Sequence, residues 1–213
     1  MPSIEELIQR IEKCNICNTE FKGLVITESK PYLEFNVYEE WIPEQNIKCL
    51  FIGESPPGRD TFFYDYQKEN TLRRNMFSLL EISNYYYEGL CEFKRRGFLL
   101  IDAVKCRVNK KGRNIPKRVI ENCSKIFKYE IKLLSEIKNV KKIVILGSTA
   151  LKALMMIGFH ELNGYGVEKD CGKTLKSNNF EIFLCTLPFA RTKNCWNTTK
   201  VREKLKSFIE KEL

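Results

Sequence analysis

Cys14 and Cys17 stand two residues apart near the start of the chain, and Cys106 and Cys123 lie far downstream. A Cys-x-x-Cys pair turns two thiolates toward one ion, and Cys106 and Cys123 bracket a loop able to return the chain to the same place. Four such sulfurs suit zinc or an iron-sulfur cluster, and spacing alone leaves both open. The plain alternative for Cys14 and Cys123 is that of a small buried side chain on an apolar helix face. Cys49, Cys91, Cys171, Cys185 and Cys195 have no such partners and read as structural. Nine cysteines, an odd number, argue against a disulfide framework. The charged, amphipathic stretch 1–13 is unlike a secretory leader, so a soluble, cytoplasmic protein is expected.

The elements that must position these residues are legible in the hydrophobic pattern. Apolar runs at 47–53, 98–104, 142–147 and 181–189 are bounded by turn residues and separated by helical patterns. Near-continuous runs of that length read as strands buried on both faces, as in a parallel sheet with crossover helices. Helical stripes are expected from Ile4 to Cys14 and from Val119 to Ile137 behind Pro116, with further helices at 71–82, 148–157 and 198–210. The fold class is therefore α/β, a single domain over 1–213 with a central four-stranded, mostly parallel sheet flanked by helices. The irregular stretches 59–70 and 160–179 read as loops near the carboxyl ends of the strands, where such sheets bind ligands. Lys and Arg number 36 against 27 Asp and Glu, a formal charge of +9 that favours a polyanionic partner such as nucleic acid. No apolar run approaches the roughly 20 residues needed to cross a bilayer.

Gly53-Glu54-Ser55-Pro56-Pro57-Gly58, closing the first run, looks like the first motif of the uracil-DNA glycosylase superfamily. Val104-Lys105-Cys106-Arg107 looks like the signature of its iron-sulfur, family 4-like branch. The likeness spans nearly the whole chain, from the early Cys-x-x-Cys to a final strand running into a Pro-containing loop. It implies a uracil-DNA glycosylase-like fold and a monofunctional DNA glycosylase, a hydrolase of N-glycosyl bonds in base excision repair. It also implies a structural [4Fe-4S] cluster on Cys14, Cys17, Cys106 and Cys123, with DNA carrying a damaged base as the partner of a monomer.

Cleaving a base from deoxyribose passes through an oxocarbenium-like sugar, so the chemistry needs a group to place water and donors for the departing base. The base must also leave the stack, which calls for an aromatic platform and an edge-reading side chain. By its position in the motif, Glu54 is the expected water-positioning carboxylate, with Gly53 and Ser55 against the base. The alternative for Glu54 is a cap on a neighbouring turn. Phe63, in Phe62-Phe63-Tyr64, is the expected stacking ring, against a core role.

Two departures from the branch fall on the working site. Asp102 replaces its asparagine four residues before the third cysteine, and Leu187-Pro188-Phe189 replaces a His-Pro-Ser type motif. An ionised aspartate only accepts, so it faces a uracil carbonyl poorly unless protonated. Asp102 is therefore expected either to read a base with an exocyclic amine or to activate water. The only histidine, His160, falls outside any motif position. The last loop resembles the minor-groove wedge, giving Phe189, Arg191 and Lys193 as DNA contacts. Lys105 and Arg107, with Lys110, Lys111, Arg113, Lys117 and Arg118, would grip phosphate beside the cluster. The alternative class is a catalytically weak or inactive iron-sulfur nucleic-acid-binding protein of the same fold.

Overall fold

The computed structural model describes residues 2–58, 61–110, 114–188 and 198–211. In chain order these form helix α1 (Ile4–Glu12), strand β1 (Val25–Ile26), helix α2 (Pro31–Glu34), a π-helical turn (Val37–Trp41) and strand β2 (Cys49–Gly53). Helices α3 (Thr71–Leu80) and α4 (Tyr87–Arg95) lead to strands β3 (Phe98–Asp102) and β4 (Arg107–Val108), then the long helix α5 (Lys117–Lys138). Strand β5 (Lys142–Leu146), helix α6 (Ser148–Met156), a 3-10 turn (His160–Leu162), strands β6 (Thr174–Ser177) and β7 (Phe180–Cys185) and helix α7 (Thr199–Glu210) complete the chain.

The main sheet has the order β3-β2-β5-β7-β6, parallel except for β6, which runs antiparallel to β7. Every residue of β2, β3 and β5 is buried, the result of helices covering both faces. The sheet has five strands where the apolar runs predict four. The extra strand, β6, lies in the stretch read as loop, because its alternating, half-exposed residues give no apolar run. Asn178 and Asn179, at φ 49° and 67°, supply the two-residue turn that folds it back on β7. A separate two-stranded ladder pairs Val25 with Val108 and Ile26 with Arg107, tying the N-terminal segment to the chain beyond β3.

Helix starts follow local chemistry. Ser3, Asn70 and Thr198 each accept a backbone N–H of the first turn, and Asn139 closes α5 at φ 47°. Helix α4 is not apparent in the sequence because Gly89 lies inside it, where glycine weakens the helical pattern. That glycine is required by packing, since a Cβ there would fall 1.8 Å from Asn84 O. One buried apolar cluster runs from Leu7 of α1 through the sheet to Ile209 of α7. None of the described helices is long and apolar enough to cross a membrane.

From β2 the chain moves to β3 on one side, then crosses to β5 on the other. The crevice at the carboxyl ends of β2 and β5 is thus the point where strand order reverses, the usual ligand position in open α/β sheets.

Candidate active site

Two carboxylates occupy the carboxyl ends of adjacent strands. Gly53, the last residue of β2, pairs in register with Asp102, the last of β3, and Glu54 follows directly. The motif loop is stitched to the chain after β3: Ala103 N–H donates to Gly53 O at 3.0 Å, Val104 N–H to Glu54 O at 3.0 Å, and Val108 N–H to Pro56 O at 3.1 Å. Two glycines of the motif are fixed by close approach. A Cβ on Gly53 would lie 2.3 Å from Asp102 Oδ1, and one on Gly58 would lie 2.6 Å from Asn109 Cα.

Glu54 reaches across the switch point. Its Oε1 accepts the Thr149 N–H of the first turn of α6 at 3.3 Å, and its Oε2 meets Lys110 Nζ at 2.5 Å. Glu54 therefore does cap a neighbouring element, and the cap anchors the carboxylate in the crevice. Gly147, at φ +98°, permits this, since a Cβ there would press on Glu54 Oε1 at 2.9 Å. The Ser55 hydroxyl oxygen is buried and has no hydrogen-bond partner among the described residues, so it is available to a ligand.

Asp102 is 5% exposed and accepts the Tyr32 hydroxyl on Oδ2 at 3.0 Å. Burial pushes its carboxyl up to about 6, opposed by Lys105, the Tyr32 hydrogen bond and Lys110, while Glu130 adds to the rise. Because the native state binds the proton more tightly, the stability Asp102 contributes is greatest below its ordinary value of 3.8 and falls as pH rises through about 6. Asp102 forms part of the wall of a cavity of about 140 Å³, shared with Pro57, Thr61, Phe62, Phe63 and Leu72. An apolar cavity near 150 Å³ holds benzene, so the space is on the scale of one six-membered ring.

Phe63 borders that cavity, yet it is 2% exposed and its ring packs on Tyr64, Phe77 and Phe93. It is thus wall and core at once. The loop carrying it is held from inside by Arg73, whose guanidinium donates to Phe63 O at 2.6 Å and to Asp65 O at 2.9 Å. Tyr64 closes the sheet edge, its hydroxyl donating to Leu100 O at 2.8 Å and accepting Leu100 N–H at 2.9 Å.

The expectation that Lys105 and Arg107 grip phosphate is corrected, because both side chains turn inward. Lys105 is 2% exposed; its Nζ lies 2.5 Å from Glu130 Oε2 and donates to Asp102 O at 2.6 Å. The Glu130 contact is a buried ion pair, with both side chains almost wholly out of solvent. Arg107 donates to Ser29 Oγ at 2.9 Å and to Pro57 O and Thr61 O at 3.1 Å each, bracing the motif loop. Of the other basic residues, Lys117 and Arg118 are exposed and pair with Glu121 and Glu20. Phe189, Arg191, Lys193, Lys111 and Arg113 lie outside the described residues, whereas Leu187-Pro188 is anchored by the Asn75 side-chain amide on Pro188 O. His160 is exposed in the 3-10 turn.

Cys14, Cys17, Cys106 and Cys123 lie near enough to influence one another's charge. Burial pushes the Cys106 and Cys123 thiols up to about 12, and each also feels the charge of Cys14 and Cys17. Cys17 is raised in turn by burial and by Cys14. Donors already point at sulfur: Asn122 Nδ2 to Cys17 Sγ at 3.4 Å, and the Lys105 backbone N–H to Cys123. Among the described residues no group of three or more His, Cys, Asp or Glu side chains is set at metal-binding spacing. The donor set itself, four thiols, is of the kind that suits a soft cation or an iron-sulfur cluster. Cys171, which reads as a lone structural cysteine, is disulfide-bonded.

Tyr32, Tyr38, Glu130 and Arg73 are site-supporting residues that sequence reasoning missed. Aromatic and charged residues outside a motif carry no periodic signal, and only the fold brings Tyr32, Tyr38 and Glu130 near Asp102 and Arg73 under the Phe63 loop.

The fold and site define an α/β protein with an acid-bearing crevice at the reversal of strand order. Residues 40–206 match the Uracil DNA glycosylase superfamily, and the chain belongs to it. Members of that superfamily are generally glycosylase hydrolases acting on DNA, so membership suggests a DNA glycosylase. No curated protein matches the chain.

Proposed function

We propose that this protein is a monofunctional DNA glycosylase that hydrolyses the N-glycosidic bond of uracil or another deaminated or altered base in DNA, leaving an abasic site. It acts in base excision repair as a cytoplasmic monomer. The observation that carries this reading is the pair of carboxylates at the ends of β2 and β3, one of them in the wall of a cavity of about 140 Å³. In this reading the flipped base enters that cavity and Glu54, anchored by Lys110 and Thr149, orients the attacking water. Charge on the departing base is met by the protonated Asp102 carboxyl and the Ser55 hydroxyl. Water is the nucleophile, so no lysine Schiff base is involved.

Release of each base from oligonucleotides carrying uracil, hypoxanthine or xanthine tests the reading. Tight, salt-sensitive DNA binding without release of any base would leave the non-catalytic alternative, which the absence of the branch's histidine favours. If a protonated Asp102 donates to a base carbonyl, release should fall about tenfold per pH unit above the carboxyl's value of about 6. Asp102→Asn should abolish that dependence and favour uracil, because a neutral amide donates at every pH. A pH profile identical in the two proteins would remove Asp102 from base recognition.

We propose further that Cys14, Cys17, Cys106 and Cys123 hold a [4Fe-4S] cluster with a structural role. Bound there, it would cross-link the segment after α1, the chain beyond β3 and α5. The support is the shared neighbourhood of four buried or half-buried thiols, in which Cys14 and Cys17 raise both Cys106 and Cys123. Cys123→Ser should lose iron and the broad absorption near about 400 nm. It should also cost on the order of 4 kcal/mol, lowering the unfolding temperature by about 8–16 °C. A colourless wild-type protein containing zinc would replace the cluster with a zinc site.

A further inference from the structure

Tyr32 precedes the residues 40–206 that match the family, yet its hydroxyl is the side-chain group in contact with the Asp102 carboxyl. The ring is fully buried and held on three sides. It stacks on Tyr38 with centroids 5.7 Å apart, meets Phe62 edge-on at 5.3 Å, and lies under the Lys105 ammonium at 4.5 Å. Lys105 is fixed by Glu130, and Glu130 Oε1 by the Tyr38 hydroxyl at 2.6 Å. The clamped phenol directs its proton to Asp102 Oδ2, the one acceptor it meets among the described residues. Burial and the nearby Asp102 carboxyl hold the phenol well above its ordinary range, so it stays a neutral donor.

Resting on the glycosylase reading above, we propose that Tyr32 is a specificity-determining positioning residue: by occupying Oδ2 of Asp102 it leaves Oδ1, beside the bare Cα of Gly53, to read the base. Since Oδ2 already accepts, a proton carried by this acid sits on Oδ1. The group then offered at the cavity wall is a hydroxyl donor. It selects a base that presents a carbonyl oxygen at that edge over one that presents an exocyclic amine. The groups that set this proton's affinity are Tyr32, Lys105, Lys110 and Glu130. Removing the Tyr32 hydroxyl lets the proton sit on either oxygen and lets the carboxyl turn.

The test is Tyr32→Phe, compared with wild type by pH profile on whichever of the uracil, hypoxanthine and xanthine oligonucleotides the wild type cleaves fastest. The limiting rate at low pH is expected to fall about tenfold, the worth of one well-placed hydrogen bond. The midpoint is expected to move upward from about 6, because a donor to the carboxylate is lost. Affinity for undamaged DNA should not change. A merely structural role would move neither the midpoint nor the ratio of kcat to KM. Unmoved values in a folded variant overturn the proposal.

A second measurement needs neither a variant nor activity. In the wild-type protein, the Tyr32 Cζ chemical shift should follow pH with the same midpoint as Asp102 Cγ. A Tyr32 signal that ignores the Asp102 titration overturns the proposal whatever the protein cleaves. Absence of base release from every oligonucleotide overturns only the glycosylase reading.

Discussion

Glu54→Gln is expected to slow base release by about 10²–10³-fold while leaving the fold and DNA binding intact. Glutamine keeps the shape of the side chain and can still accept the Thr149 N–H on its carbonyl oxygen. It loses the charge that pairs with Lys110 and the basic oxygen that would hold a water proton. The Glu54–Lys110 pair is partly solvated, with side chains 14% and 28% exposed, so its loss should cost no more than about 1 kcal/mol of stability. Single-turnover release at saturating protein would separate the chemical step from binding. A rate within about threefold of wild type would show that another group positions the water.

Lys105→Met should cause the largest loss of stability of any single change near the site, about 3–5 kcal/mol. The side chains of Lys105 and Glu130 are 2% and 0% exposed, so removing the ammonium strands a carboxylate in the interior. Burial already pushes the Glu130 carboxyl upward, and Lys105 is the chief group opposing it. Without Lys105 the acid takes up a proton to stay buried. That sign makes the variant's deficit grow from about pH 5 to about pH 8, since the native state then holds a proton the unfolded chain has released. The double variant Lys105→Met/Glu130→Leu should recover much of the loss, as apolar replacements of buried pairs often do. Urea unfolding of the wild type, both singles and the double, at the two pH values, would measure the coupling. A Lys105→Met protein within about 1 kcal/mol of wild type would mean that the pair is solvated in solution.

The sheet was legible because β2, β3 and β5 are buried on both faces and therefore spell apolar residues without interruption. The hairpin strand β6 was not, since an edge strand alternates and its only signal is the Asn178-Asn179 turn. Glu54 and Asp102 could be placed at the strand ends because apolar run and motif coincide there, Asp102 closing β3 and Glu54 following β2. Lys105 and Arg107 were misread for a general reason: a cation in a basic stretch looks the same in sequence whether it faces solvent or a buried acid. The fold alone put Glu130 of α5 beneath Lys105 and Tyr32 beside Asp102. The donors from Asn122 and the Lys105 backbone toward the Cys17 and Cys123 sulfurs carry no signal in the sequence.

Gly147 sets the width of the crevice by having no thickness of its own. With its Cα against the Glu54 carboxylate and its backbone in a conformation that suits glycine, position 147 works as a spacer of zero height between two loops. One added methyl group would wedge those loops apart and swing the acid off the end of α6. Tolerance to mutation should therefore be lowest where the chain carries no side chain at all, and a screen for lost activity should recover this residue as readily as either acid.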